Sequence, residues 1–395
     1  MKYAKRFVFC FIIHCFHLAG WLMRQRPRLT GKEHLKNVPL PVIFAVTHDS
    51  YFEIPSLSTV FQRLTPRPMF AVMAKKDFLS GHYLSTNFCG NNLFLRTFLA
   101  ALDRTGIPTL IFKLLNVSTV HRPFVESTLK RADELKQEIS DQITHFRNTI
   151  SQGLSTLVFP EGTTWGYGGL KQIRSSAFQL VHDTFMQYRT KVYILPINVK
   201  VDRLVQGCKD IFINVGRPRF ILLSKEEFNE HLRECLLRLH TITFSQIGAY
   251  YLKKLSLMNA RAEREITLTR DMVTAHLEKV VANVHRMVEN RILPAFDSRL
   301  TERKYLARKV KRFIRYCKKH GYLVELQNTG TPGTYAINWR KVLADHPAKA
   351  FRKLNPVGYH ANELVSLGEK YIEPLFDLPL KNGASPARTS HRLPA

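Results

Sequence analysis

Two short segments of this chain combine residues that can move a proton and hold a polar group. The first is Thr47-His48-Asp49-Ser50-Tyr51-Phe52-Glu53-Ile54-Pro55. An imidazole with a carboxylate beside it suits base chemistry, because the carboxylate orients the ring and stabilises its protonated form. The offset from His48 to Glu53 would leave the two side chains roughly 140° apart on a regular helix, so they meet only if the backbone turns between them. Pro55 favours such a turn: proline fits the first turn of a helix and disfavours helix in the residue before it. The segment therefore reads as a strand end carrying His48, followed by a turn into a helix. Ser50 and Glu53 also match a helix capping box. That alternative would put Pro55 well inside the helix, where its missing N–H and its ring disturb the backbone.

The second segment is Pro160-Glu161-Gly162-Thr163-Thr164, which continues into Trp165-Gly166-Tyr167-Gly168-Gly169-Leu170-Lys171. A rigid proline, an acid, a glycine that permits close approach and two hydroxyls suit a polar ligand at a strand end. Taken alone, the pentapeptide fits a plain turn equally well.

Both segments need a scaffold, and the surrounding sequence supplies one. Val42–Thr47, Met69–Ala74, Ser155–Phe159, Val192–Val199 and Ile211–Val215 are short runs rich in Val, Ile and Phe, as strands are. Thr128–Ser151 and Ser175–Tyr188 have helical character. Apolar strands alternating with helices predict an α/β domain over residues 29–223, a mixed sheet flanked by helices. Residues 224–378 predict a mostly helical, basic C-terminal domain. Within it Leu306, Val310, Phe313, Ile314 and Cys317 form one apolar stripe, with Arg308, Lys309, Lys311, Arg312, Arg315, Lys318 and Lys319 opposite and Gly321 placed to end the helix. Tyr322–Leu326 and Thr334–Asn338 follow as a hairpin, a combination that resembles a winged-helix unit. Residues 379–395 have the composition of a flexible tail.

At the N-terminus, Lys2, Lys5 and Arg6 precede an apolar run from Phe7 to Met23, and Arg24, Arg26 and Arg28 follow it. As a helix this run is about 26 Å long, slightly short of a bilayer core of about 30 Å. No small-residue cleavage site follows, so residues 1–28 predict an uncleaved membrane helix, either an anchor or one lying in the interface. Lys+Arg number 59 against 31 Asp+Glu, a net charge of +28. Such an excess points to a polyanionic partner, either nucleic acid or an anionic lipid surface. The six cysteines are scattered with no C-x-x-C pair and no zinc-ligand spacing, which predicts reduced, mostly buried thiols and no metal site.

Together, His-x-x-x-x-acid and Phe-Pro-Glu-Gly-Thr resemble the motifs of the lysophosphatidate and glycerol-phosphate acyltransferase family. The resemblance spans roughly Leu29 to Phe220, and weaker positions agree in order: Gly31 to Leu35, Lys75 with Lys76, His121-Arg122-Pro123 and Leu195-Pro196-Ile197. It implies that His48 takes the proton of an acceptor hydroxyl as that hydroxyl attacks an acyl thioester, without an acyl-enzyme intermediate. Glu53 would orient His48. Arg122, Glu161, Gly162, Thr163 and Lys75 would form the substrate-binding surface. No cofactor is implied. The donor would be acyl-CoA or acyl carrier protein, and the acceptor a lysophospholipid or glycerol-phosphate, in phospholipid biosynthesis or remodelling. The expected location is an anionic membrane surface with the site facing the cytoplasm, the inner membrane in a bacterium.

The sequence departs from the family pattern in three places. Glu53 stands where the family has Asp, the block ending at Arg122 lacks its usual Gly and Asp, and Thr164 replaces an arginine. These departures leave the acceptor open, and Glu53 leaves room for a non-catalytic, lipid-binding or scaffold member. Nucleic acid is the weaker partner, because no aromatic-interleaved block accompanies the basic face. That face is expected to dock on membrane or on an acidic acyl carrier.

Overall fold

The computed structural model describes residues 2–48, 52, 54–66, 70–75, 82, 84–85, 93–114, 117–120, 132–162, 166–262, 266–327 and 332–376. The expected tail lies outside these residues. Strands β1 (Gln25–Thr30), β2 (Val42–Val46), β3 (Phe70–Lys75), β4 (Val117–Val120), β5 (Ser155–Val158), β6 (Tyr193–Val201) and β7 (Lys209–Val215) make one sheet. Their order is β1-β7-β6-β2-β5-β3-β4. β6, β2, β5, β3 and β4 run parallel. β7 is antiparallel to β6, and β1 pairs parallel with β7. The predicted mixed α/β sheet is therefore present.

The continuous apolar run of β2 has a direct cause in this architecture: both faces of the strand are covered. Val42, Phe44 and Val46 pack with Leu195, Ile197 and Val199 of β6 and with Leu57 and Val60 of helix Ile54–Phe61. Ile43 and Ala45 point the other way, toward Phe146 and Ile150 of helix Ala132–Ser151 and Leu180 of helix Ser176–Tyr188. The sequence reading missed the two edge strands, β1 and β4. β1 reads Gln-Arg-Pro-Arg-Leu-Thr, polar and half-exposed, with a proline that an edge tolerates and a central strand does not. Its first residues belong to the segment assigned to the membrane anchor.

That segment also needs correction. A helix does form over Lys2–Leu22, but among the described residues no helix is long and apolar enough to cross a membrane. The apolar run is short, broken by His14 and His17, and one side of the helix is used by the domain itself. Ile13 is buried, and the Phe9 ring stacks on Phe70 at 4.9 Å. Phe7, Phe11, Leu18, Trp21 and Leu22 stay exposed.

The C-terminal part is helical, as expected, and carries its own core. Helices Phe244–Ala262, Arg270–Glu289 and Arg303–Lys319 pack around Ile247, Leu277, Val280, Val310 and Phe313. The expected hairpin forms as β9 (Leu323–Glu325) and β10 (Thr334–Ile337), and a third strand, β8 (Thr267–Thr269), pairs antiparallel with β10. Two of the sequence expectations fail here. Lys309 is not on the outer basic face but 3% exposed, because it carries the charge that two buried aspartates need. Among the described cysteines only Cys317 is buried, whereas Cys15 is exposed.

Lys309 pairs with Asp202, and its Nζ lies 2.8 Å from Asp210 Oδ2. Asp202 follows β6 and Asp210 lies in β7, so this buried cation ties the C-terminal unit to the sheet. Arg28 and Arg299 also reach Asp210, at 3.3 and 3.4 Å. Burial pushes the Asp210 carboxyl up, but the surrounding Lys309, Arg299 and Arg28 outweigh it and hold the carboxyl at about 2. Because this lies below the ordinary 3.8, the stabilisation is complete above about pH 4 and is lost as pH falls toward 2. Urea titrations should therefore show wild-type stability falling steeply across that window. Asp210→Asn should be less stable at pH 7 by about 2–3 kcal/mol and show a flatter acid decline. An unchanged acid decline would refute the assignment.

Candidate active site

β2 ends at Val46, and Thr47 extends its pairing with β6 by one residue. The Thr47 N–H donates to the Ile197 carbonyl at 3.0 Å, and its Oγ1 accepts from the Val199 N–H at 2.9 Å. His48 is thus the first residue free of the ladder, at the carboxyl end of a central strand. Its ring stacks on Phe159 at 4.2 Å between centroids. Helix Ile54–Phe61 has Pro55 as its second residue, within the first turn. This agrees with the expectation that Pro55 sits in a first helical turn; Ser50 and Glu53 lie outside the described residues.

Glu161 is 3% exposed and joins the two motifs. Its Oε1 accepts the backbone N–H of His48 at 3.2 Å, and its Oε2 accepts the backbone N–H of Lys171 at 3.0 Å. Gly162 allows the sharp turn that aims this carboxylate inward. Its φ is +71°, and a Cβ there would run into the Arg174 side chain. Burial raises the Glu161 carboxyl above its ordinary value, opposed by the Lys171 N–H, the Lys200 charge and the His48 N–H.

A cleft opens over this pair, lined by His48, Glu161, Asn198, Lys200, His240 and Tyr359. Of the residues singled out from the sequence, the structure brings His48, Glu161 and Gly162 together. Glu53, Arg122 and Thr163 lie outside the described residues, as does the side chain of Lys75, whose backbone ends β3. Asn198, Lys200, His240 and Tyr359 escaped the sequence reading. One signal was present. Asn198, Lys200 and Asp202 are polar at every second position of an apolar run, which puts them on one face of a strand. His240 and Tyr359 gave none.

Lys200 Nζ lies 2.6 Å from Glu363 Oε1, and Glu363 Oε2 lies 2.6 Å from His360 Nδ1. Gln246 bridges from Glu363, at 3.4 Å, to His240 Nε2, at 3.1 Å. Burial, with the Lys200 charge adding to it, pushes His240 down to about 3, so this imidazole stays neutral at ordinary pH. Glu363 is pushed up by burial and, more strongly, down by Lys200 and His360, ending well below its ordinary value. The glycine-rich stretch after the second motif lies directly on the helices that carry these groups. Asn362 Nδ2 donates to the Tyr167 carbonyl at 2.8 Å, and a Cβ on Gly168 would strike the Tyr359 carbonyl. Among the described residues no group of His, Cys, Asp or Glu side chains could hold a metal ion.

A strand-end imidazole is thus clamped through its backbone by a buried acid that lies a turn beyond a parallel neighbour. Residues 26–200 match the acyltransferase family model. The glycerol-phosphate and lysophosphatidate branch is the one this chain's motifs resemble. A solved structure, the 1-acyl-sn-glycerophosphate (LPA) acyltransferase PlsC from Thermotoga maritima, aligns at 14% identity with a TM-score of 0.38, covering 60% of this chain and 80% of that one. No curated protein matches the chain in sequence.

The clamp carries a measurable load. Glu161→Ala would leave two backbone N–H groups without their acceptor in a buried place, at a cost of about 2–4 kcal/mol. Urea unfolding at pH 7 should show that loss. A variant as stable as wild type would mean the two bonds contribute nothing.

Proposed function

We propose that this protein transfers a fatty acyl group from a thioester, acyl-CoA or acyl carrier protein, to the hydroxyl of a lysophospholipid or glycerol-phosphate. The observation that carries this reading is the placement of His48 and Glu161 on one cleft within an acyltransferase-family domain. His48 takes the proton as the acceptor oxygen attacks the thioester carbonyl. The C–S bond then breaks, and the proton passes to the departing thiolate. Glu53 orients the imidazole, and Arg122 and Thr163 complete the acceptor surface with Glu161 and Gly162. Arginine suits a phosphate-bearing acceptor because its planar fork binds two oxygens at once.

The site works at a lipid surface on the cytoplasmic side. Support comes from the helix Lys2–Leu22, which lies along the sheet domain and leaves Phe11, Trp21 and Leu22 exposed next to Arg24 and Arg26. An amphipathic helix with that pairing of apolar and basic residues suits the headgroup region of anionic lipid.

His48→Ala should lower thioester-dependent acylation by about 10²–10⁴-fold, read as labelled lipid product from acyl-CoA and a panel of lysolipids and glycerol-phosphate. Wild-type turnover in that variant would sink the mechanism. If wild type and Glu53→Asp are both inactive on every donor and acceptor, a non-catalytic lipid-binding role takes its place. The membrane half of the reading has its own check. Phe11→Glu combined with Trp21→Glu should weaken flotation with anionic vesicles by roughly tenfold or more, the worth of one large apolar side chain. Unchanged flotation would remove this helix from the membrane contact.

A further inference from the structure

The family match stops at residue 200, yet His240 and Tyr359 beyond it wall the cleft around His48. Lys200 is 8% exposed, and Glu363, its partner at 2.6 Å, is 1% exposed. A buried pair of opposite charges does little better than apolar residues of the same shape, so stability alone is a weak reason to keep one. Its position gives a better reason. Lys200 lines the same cleft as Glu161 and acts on that carboxylate through its charge.

We infer that Lys200, held by Glu363 of the C-terminal unit, is a positioning residue for His48. Its ammonium balances the Glu161 carboxylate, which in turn clamps the backbone N–H groups of His48 and Lys171. The helix Pro356–Val365 is therefore part of the active site, although it lies outside the acyltransferase domain. The inference rests on the acyl-transfer reading only where its test uses kinetics.

The charged and titratable groups around Glu161 come from every neighbouring element. They are His48 from the end of β2, Lys171 and Arg174 from the loop after the second motif, and Lys200 from β6. His240 precedes helix Phe244–Ala262, and Tyr359, His360 and Glu363 stand on helix Pro356–Val365. Among these Lys200 is the cation whose removal lets Glu161 take up a proton at higher pH. A protonated carboxyl accepts weaker hydrogen bonds than an ionised one, so the clamp on His48 loosens with it.

The test uses the full chain with carbon-13 in the glutamate side-chain carboxyl, the Glu161 resonance being the one missing from Glu161→Gln. Wild type is compared with Lys200→Met/Glu363→Gln, in which the cation and its buried counter-charge leave together. Removing both partners together also avoids an orphaned buried charge, which keeps the variant folded where Lys200→Met alone would not be. The Glu161 midpoint should be about one pH unit higher in the double variant, and Lys200→Arg should stay near wild type. Equal midpoints in the compared pair overturn the inference. In parallel, the acid limb of kcat/KM for acyl transfer should move up with the midpoint. A midpoint that moves while the limb stays put overturns the role at His48. Wild type without acyl transfer refutes the proposed function, and the resonance still decides whether Lys200 balances Glu161.

Discussion

One buried carboxylate sets the terms for the rest of this structure. Glu161 accepts from the backbone of His48 with one oxygen and from the backbone of Lys171 with the other. It thereby fixes the end of β2 against the loop that follows β5. An acid in that position is expensive to ionise unless donors and a cation surround it. Two backbone N–H groups supply the donors. Lys200 supplies the cation and is itself buried, so it needs a counter-charge in turn. Glu363 meets that need from a helix more than 150 residues further along the chain, the sequence separation of the pair being 163. Each group is tolerable only because the next is present, and the chain of dependence runs from the sheet into the C-terminal unit.

Three of the contacts that join the sheet to the C-terminal unit reinforce one another. Lys200 and Glu363 meet beneath the cleft, and Lys309 reaches Asp202 and Asp210 at the ends of β6 and β7. The glycine-rich loop lies against helix Pro356–Val365, where Gly168 leaves no room for a side chain. Two of these joints are buried ion pairs, whose strength depends on both partners keeping their geometry. The third is backbone packed on backbone. Loosening any one would shift the wall of the cleft that His240 and Tyr359 form.

Much of the central sheet could be read from the sequence because apolar strands covered on both faces announce themselves. β2, β3, β5, β6 and β7 all fall on predicted runs. The edge strands escaped for the opposite reason: β1 is polar, carries Pro27 and is held by pairing with β7 rather than by its own pattern. The site divides in the same way. His48 and Glu161 stand in motifs whose residue types state their chemistry. Lys200 showed only as a charge in an apolar strand, and His240, Tyr359 and Glu363 come from distant segments that tertiary packing alone brings to the cleft. Lys309 is the instructive error. It sits where helical periodicity assigns a solvent face, and two aspartates on another element draw it inside.

The pairing of β1 with β7 also bears on how the chain is made. Thr30 and Asn214, hydrogen-bonded at 2.5 Å, are 184 residues apart. At ordinary rates of synthesis, about 5–20 residues per second, the ribosome adds the intervening chain over roughly 10–40 s. During that interval the first strand has no edge to join, and the helix before it has no finished sheet to lie on. The exposed aromatic residues of that helix emerge well before β7. Any apolar surface near the ribosome meets them before the sheet beside them is complete.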